Sequence, residues 1–117
     1  MMEFNDNKPI YRQIADYAYN AILSGQWEPE AIIPSVRELS AQLGVNSRTV
    51  LKAMEQLQNS GIITMRRGLG FQLSPDAPAR VTQVRREEFF SQTLPAIAVE
   101  MKRLGLTASD ILPHLPG

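Results

Sequence analysis

The sequence predicts a mostly α-helical chain with a small β-wing. An N-terminal winged helix-turn-helix spans residues 1–75, and a short α-helical appendage for dimerisation spans residues 76–117. Three observations predict this architecture. Two short helical patterns flank a Gly44-Val45-Asn46 turn. Two short β runs follow, joined by a basic, glycine-containing tip. Beyond Pro78 the apolar residues again recur at helical spacing.

The first helix is expected from Pro9 to Ser24, because proline suits a first helical position and Gly25 a left-handed stop. Ile10, Ile14, Tyr17, Ala18, Ala21 and Ile22 make its apolar face, and Trp27 reads as a packing residue over the following turn. Ser35 and Glu38 form a Ser-x-x-Glu capping box that starts the second helix, and Gly44 ends it. Val36, Leu39 and Leu43 face inward. Asn46 caps the third helix, whose buried stripe is Val50, Met54 and Leu57 and whose stop is Gly61.

Ile62–Arg66 and Gly70–Leu73 read as strands with Arg67-Gly68-Leu69 at the tip, and Ser74–Pro78 as a linker. In the appendage Phe90, Leu94, Ile97, Ala98, Met101 and Leu104 form a continuous apolar stripe. Pro95 interrupts the helical ladder, so a kink or a fresh helix start is expected there. Gly105 stops that helix, and Thr107 with Asp110 caps a short final one.

Composition narrows the function classes. At 117 residues, 44% hydrophobic and 21% charged, the chain is expected to be globular. It holds no apolar run long enough for a transmembrane helix, no secretion-type N-terminal segment and no cysteine, so a cytoplasmic protein without a membrane partner is expected. The single histidine, His114, reads as a solvated tail residue, so no metal site, catalytic residue or cofactor is expected.

Net charge is zero, but it is sorted along the chain. Between residues 35 and 73, Arg37, Arg48, Lys52, Arg66 and Arg67 face only Glu38 and Glu55. Residues 1–34 carry Lys8 and Arg12 against Glu3, Asp6, Asp16, Glu28 and Glu30. A positive stretch centred on the helix-turn-helix and the wing fits double-stranded DNA, with specific contacts carrying more of the binding than bulk charge does.

The candidate DNA-contacting residues are Ser35, Arg37, Asn46, Ser47, Arg48, Thr49, Lys52, Arg66, Arg67 and Gly68. Each has a plainer reading. Arg48, in the first turn of the third helix, either pairs with a guanine edge or sits solvated. Arg37 contacts DNA or pairs with a glutamate; Lys52 contacts a phosphate or is an idle surface charge. Ser47 and Thr49 favour helix starts in any case. Glycine at the wing tip lets backbone approach a groove closely. Tyr11, Tyr17 and Tyr19 read as core or surface residues of the first helix.

Pro9-Ile10-Tyr11-x-Gln13-Ile14, Leu23-Ser24-Gly25, Pro34-Ser35-x-Arg37-Glu38-Leu39, Gly44-Val45-Asn46-x-x-Thr49-Val50, Leu57, Gly61-Ile62-Ile63 and Arg66-Arg67-Gly68-x-Gly70 together resemble the GntR family of bacterial transcription regulators. The resemblance covers residues 9 to 73. It implies that Arg37 contacts DNA from early in the second helix. It also implies that Asn46, Ser47, Arg48 and Thr49 begin the recognition helix, and that Arg67 and Gly68 approach the minor groove. The short helical tail is similar to that of the YtrA subfamily. That implies a homodimer held by the tail helices, and often repression of membrane-transporter operons. The chain departs from the family pattern in three places. Glu30-Ala31 replaces a Gly-Asp or Gly-Glu turn, Leu51 a frequent basic residue, and Phe71-Gln72-Leu73 a Thr-Phe-Val ending.

The expected function is a sequence-specific regulator, most simply a repressor, bound as a homodimer to an inverted-repeat operator. A small effector of unknown identity is a further expectation. Since a two-helix tail encloses little volume, its pocket would form at the dimer interface or between tail and winged domain. The competing reading is a winged-helix protein-interaction module without DNA readout. An enzyme finds no nucleophile–base pair, phosphate loop or metal cluster in this sequence.

Overall fold

The computed structural model describes residues 3–5 and 7–117. The order of elements is α1 (Ile10–Leu23), α2 (Val36–Leu43), α3 (Ser47–Asn59), β1 (Ile63–Arg66), β2 (Gly70–Leu73) and α4 (Ala77–Glu88). A π-helical turn (Phe89–Thr93), α5 (Leu94–Arg103), α6 (Ala108–Ile111) and a 3-10 turn (Leu112–His114) complete it.

Helix α3 is the hub, because both α1 and α2 pack against it and β1 follows along its end. Its buried residues Val50, Ala53, Met54 and Leu57 recur at three- and four-residue spacing, so a single face meets the core. On α1 the buried stripe is wider than the sequence predicts. Ala15 and Tyr19 join Ile14, Ala18 and Ile22, while Ile10 lies exposed on the first turn. Tyr19 is fully buried because its hydroxyl has a partner there, accepting from Gln56 Nε2 at 3.2 Å. Trp27 is buried with its ring edge-on to Tyr17 at 6.2 Å.

The turn between α2 and α3 is built by short-range bonds. Gly44 takes the left-handed conformation at φ 69°, and its N–H donates to Ser40 O at 3.0 Å. The Ser40 hydroxyl then donates to Val45 O. The antiparallel wing pairs Ile63 with Leu73 and Arg66 with Gly70. Its second strand is bonded on both edges, because the Ala31–Ile33 segment also pairs with it: Ile33 N donates to Phe71 O and Leu73 N to Ala31 O. Glu30, where the family pattern has glycine, is the one non-glycine residue with positive φ among the described residues, at 68°. It holds that geometry through Glu30 N to Leu73 O at 3.1 Å and Gln72 Nε2 to its own carbonyl at 2.7 Å.

The expected linker at Ser74–Pro78 is not a free spacer. Helix α4 begins inside it at Ala77, and Ala77 and Val81, one turn apart, are both fully buried. The first compact unit therefore runs to Thr82 and the second begins at Gln83, later than the boundary expected after residue 75. Arg80 adds a close contact. Gly61 ends the turn after α3 at φ 73°, and a Cβ there would lie 2.6 Å from Arg80 Nη1. The guanidinium is held in place by Asp76 at 2.9 Å, which in turn lowers the Asp76 pKa.

In the second unit Pro95 neither kinks a bare helix nor starts a capped one. A π turn widens the helix immediately before it, with Leu94 N donating five residues back to Phe89 O. Thr93 stays helical and gives no side-chain cap to α5. The wider turn moves the backbone away from the proline ring, which in a regular helix clashes with the carbonyl four residues earlier. Helix α5 stops at Gly105, with Leu106 N returning to Met101 O at 2.8 Å. Helix α6 starts as expected, the Asp110 carboxylate accepting from Thr107 N at 2.8 Å and from its hydroxyl at 3.1 Å.

Candidate nucleic-acid interface

Two of the candidate residues are committed to building α2 and α3. Ser35 Oγ accepts from Glu38 N at 3.0 Å while Glu38 Oε1 accepts from Ser35 N at 3.2 Å. Asn46 Oδ1 accepts from Arg48 N at 2.8 Å. These bonds satisfy helix-start amides that would otherwise need water. They also fix the backbone from which Arg37, Ser47 and Arg48 project, and those three side chains are exposed. Thr49 is half-buried beside Val50.

At the wing, Leu69 N donates to Arg66 O at 2.9 Å, closing a turn with Arg67 and Gly68 in the middle. Gly68 has φ 78°, the value a type II turn requires at its third position, which favours glycine. Nothing lies within 4 Å of the place a Cβ would occupy, so the tip backbone is open to an approaching surface.

Among the described residues, several basic side chains are already neutralised, and others, Arg86 and Lys102 of the second unit among them, are not. Lys8, Arg80 and Arg103 are paired with Asp16, Asp76 and Glu100. Among the described residues, Arg37, Arg48, Arg66 and Arg67 have no carboxylate partner, and all four are exposed. The plainer reading of Arg37 as a glutamate's partner is therefore not what the structure holds. Four unneutralised guanidiniums, on α2, on α3 and at the wing, present the fork of donors that suits phosphates and guanine edges. Lys52 is also exposed, and its ammonium lies 4.0 Å from the centre of the Tyr11 ring.

Sequence reasoning missed two residues here. Tyr11 reads from the sequence only as a core or surface residue, and its pairing with Lys52 spans two helices. Gln13 is buried and staples the segment before α1. Its Nε2 donates to Asn5 O at 2.8 Å and Lys8 O at 2.9 Å, and its Oε1 accepts from Asn5 N at 3.1 Å. A glutamine on an otherwise apolar helix face was the available signal.

The second unit carries a different surface. Phe90, Leu94, Ile97, Ala98 and Leu104 are exposed and Met101 is half-buried, Ile97 at 43% and Leu104 at 62%. Phe89 and Phe90 stack edge to face at 5.3 Å. Among the described residues there is no group of three His, Cys, Asp or Glu side chains that could hold a metal, and no helix long and apolar enough to cross a membrane.

The profile of bacterial regulatory proteins of the gntR family matches residues 10–73, the whole stretch from α1 to the end of the wing. The chain belongs to the GntR family. It is a DNA-binding transcriptional regulator and not an enzyme. It is 31% identical over 110 residues to the uncharacterized HTH-type regulator YhcF of Bacillus subtilis, covering 94% of this chain and 89% of that one. It is 37% identical over 75 residues to the repressor YtrA of the same organism, covering 64% of this chain and spanning 58% of YtrA. Among solved structures, a GntR-family regulator from Listeria monocytogenes superposes with a TM-score of 0.75 at 34% identity, covering 94% of this chain and 95% of that chain. The DNA-binding domain of AraR in complex with operator ORX1 superposes at 0.56 with 26% identity, covering 62% of this chain and 93% of that chain.

Proposed function

We propose that this GntR regulator is a homodimeric repressor, acting in the cytoplasm on an inverted-repeat operator. The first unit, to Thr82, reads DNA in this scheme, and the second, from Gln83, pairs two copies. The observation that carries the DNA-reading half is the set of four exposed arginines left without carboxylate partners on α2, α3 and the wing. Ser47, Arg48 and Thr49 would meet base edges in the major groove, Arg37 and Lys52 the backbone, and Arg66, Arg67 and Gly68 the adjacent groove.

The pairing half rests on the exposed stripe of Phe90, Leu94, Ile97, Ala98, Met101 and Leu104. A helix with that much apolar surface gains from burying it, and a second copy offers a self-complementary partner. Two recognition helices on one dimer fit two half-sites separated by about one or more turns of DNA. The name of the relative YtrA supports repression as the outcome. An effector would act where two tails enclose the shallow groove lined by Gln83, Arg86, Glu87, Phe90 and Ser91.

The test is selection of bound fragments from genomic DNA, with the protein run in parallel on a sizing column with light scattering. An inverted-repeat motif bound by a species of twice the chain mass is the expected result, with affinity falling steeply as salt rises. No enriched motif at low salt would refute the regulator scheme in favour of protein docking. A monomer on the column would refute the tail's assignment.

A further inference from the structure

Lys52 and Tyr11 are 41 positions apart, on different helices, yet the lysine ammonium lies over the tyrosine ring at 4.0 Å from its centroid. A cation within about 6 Å of an aromatic face is attracted by the negative potential of that face. The ring belongs to the first turn of α1, which packs on α3, and it is half-buried. It is therefore a seat of low entropy for a side chain with four rotatable carbons. The choice of partner matters. A carboxylate would neutralise the ammonium, whereas a ring positions it with the charge intact and leaves its outward N–H donors free. Among the described residues Lys52 has no ion-pair partner, so the ring is what holds it.

We infer that Tyr11 is a positioning residue of the DNA-binding surface: its ring presets the Lys52 ammonium at the seam of α1 and α3 to take one backbone phosphate. The inference rests on the DNA-reading role proposed above and adds to it a residue whose contribution is made through another. Phosphate contacts set register and affinity without reading sequence, so the effect falls equally on all duplexes.

The experiment uses the full chain, with fluorescence anisotropy on a duplex carrying the selected motif and on a scrambled duplex, each over a range of salt. Tyr11→Phe keeps the ring and is expected to bind as the wild type does. Tyr11→Leu is expected to weaken binding to both duplexes by about two- to five-fold, the size of an exposed cation–π contact. Lys52→Met should reduce the slope of log affinity against log salt by about one phosphate's worth. In that background Tyr11→Leu should add nothing. A loss in Tyr11→Phe equal to that in Tyr11→Leu would make the hydroxyl the contact and overturn the inference, as would additive losses in the double variant. An independent readout is the proton shift of the Lys52 ε-methylene, moved upfield by the ring in wild type and Tyr11→Phe; an unshifted resonance also overturns it. Wild-type protein that binds no duplex would sink the regulator scheme itself. Wild-type binding with Tyr11→Leu unimpaired would sink this inference alone.

Discussion

Arg48→Ala separates DNA recognition from folding. The Arg48 backbone N–H is bonded to Asn46 Oδ1 at 2.8 Å, and that bond survives any change of side chain. The guanidinium is exposed and has no carboxylate partner among the described residues, so the free protein loses no contact. Alanine is at least as good a helix former as arginine, so stability should stay within about 0.5 kcal/mol of wild type. A bidentate arginine–guanine pair, by contrast, discriminates by about 1–3 kcal/mol per half-site, or roughly 5- to 150-fold in affinity.

The assay is anisotropy titration of wild type and Arg48→Ala against the selected motif and a set of duplexes with single base-pair changes, beside thermal melts of both proteins. The expected pattern is an unchanged melt, a loss on the native motif, and near-equal affinities for all bases at one position. Replacing the contacted guanine by 7-deazaguanine should cost wild type and leave Arg48→Ala indifferent, because that base lacks the N7 acceptor. An equal loss on every duplex would make Arg48 a phosphate contact. Unchanged affinity with an unchanged melt would refute the placement of the first turn of α3 against DNA.

Three further outcomes are expected. Glu30→Gly should raise stability by about 0.5 kcal/mol, since left-handed backbone at φ 68° costs a non-glycine residue about 1 kcal/mol and the added chain entropy of glycine returns part of it; a lower urea midpoint would show that the strain assignment is wrong. Ile97→Asp, on the exposed face of α5, should shift the proposed dimer to monomer by sedimentation and weaken operator binding with it, because about 2 kcal/mol of apolar burial per protomer is replaced by a buried charge. An intact dimer would move the pairing surface elsewhere. The start of α6 should respond to acid in one direction only. Hydrogen bonds from Thr107 lower the Asp110 pKa in the folded chain, so the stabilisation is complete above the ordinary carboxylate value of 3.8 and is lost as pH falls through the lower folded one. A Thr107 amide shift that titrates at or above the ordinary carboxylate value would contradict this.

The features readable from the residues alone are those whose partners lie within four positions. The Ser35–Glu38 box, the Asn46 cap, the left-handed Gly44 and the Arg66–Leu69 turn each follow from side-chain chemistry acting on the nearest backbone amides, and the structure reproduces them bond for bond. The buried stripes of α2 and α3 were legible for a related reason, since helical periodicity is a local property. The family resemblance rests on the same short motifs.

Other features depend on residues far apart in the chain, and composition or spacing could not supply them. Ala77 and Val81 look like an ordinary linker and helix start; only the assembled core shows that they are buried and carry the first unit on to Thr82. Pro95 announced a disturbance, but whether the helix breaks, kinks or widens depends on the backbone register before it, and the answer is a π turn. Glu30 adopts a glycine-like angle because bonds to Leu73 and Gln72, more than forty positions away, hold it there. What the sequence determined by itself is the run of α1, α2 and α3, the caps of α2, α3 and α6, and the sorted arginines, because each is a matter of near neighbours. What only the tertiary structure decided is which of those charges stay unneutralised and which residue seats Lys52. Both depend on long-range packing that brings distant side chains to within a few ångströms.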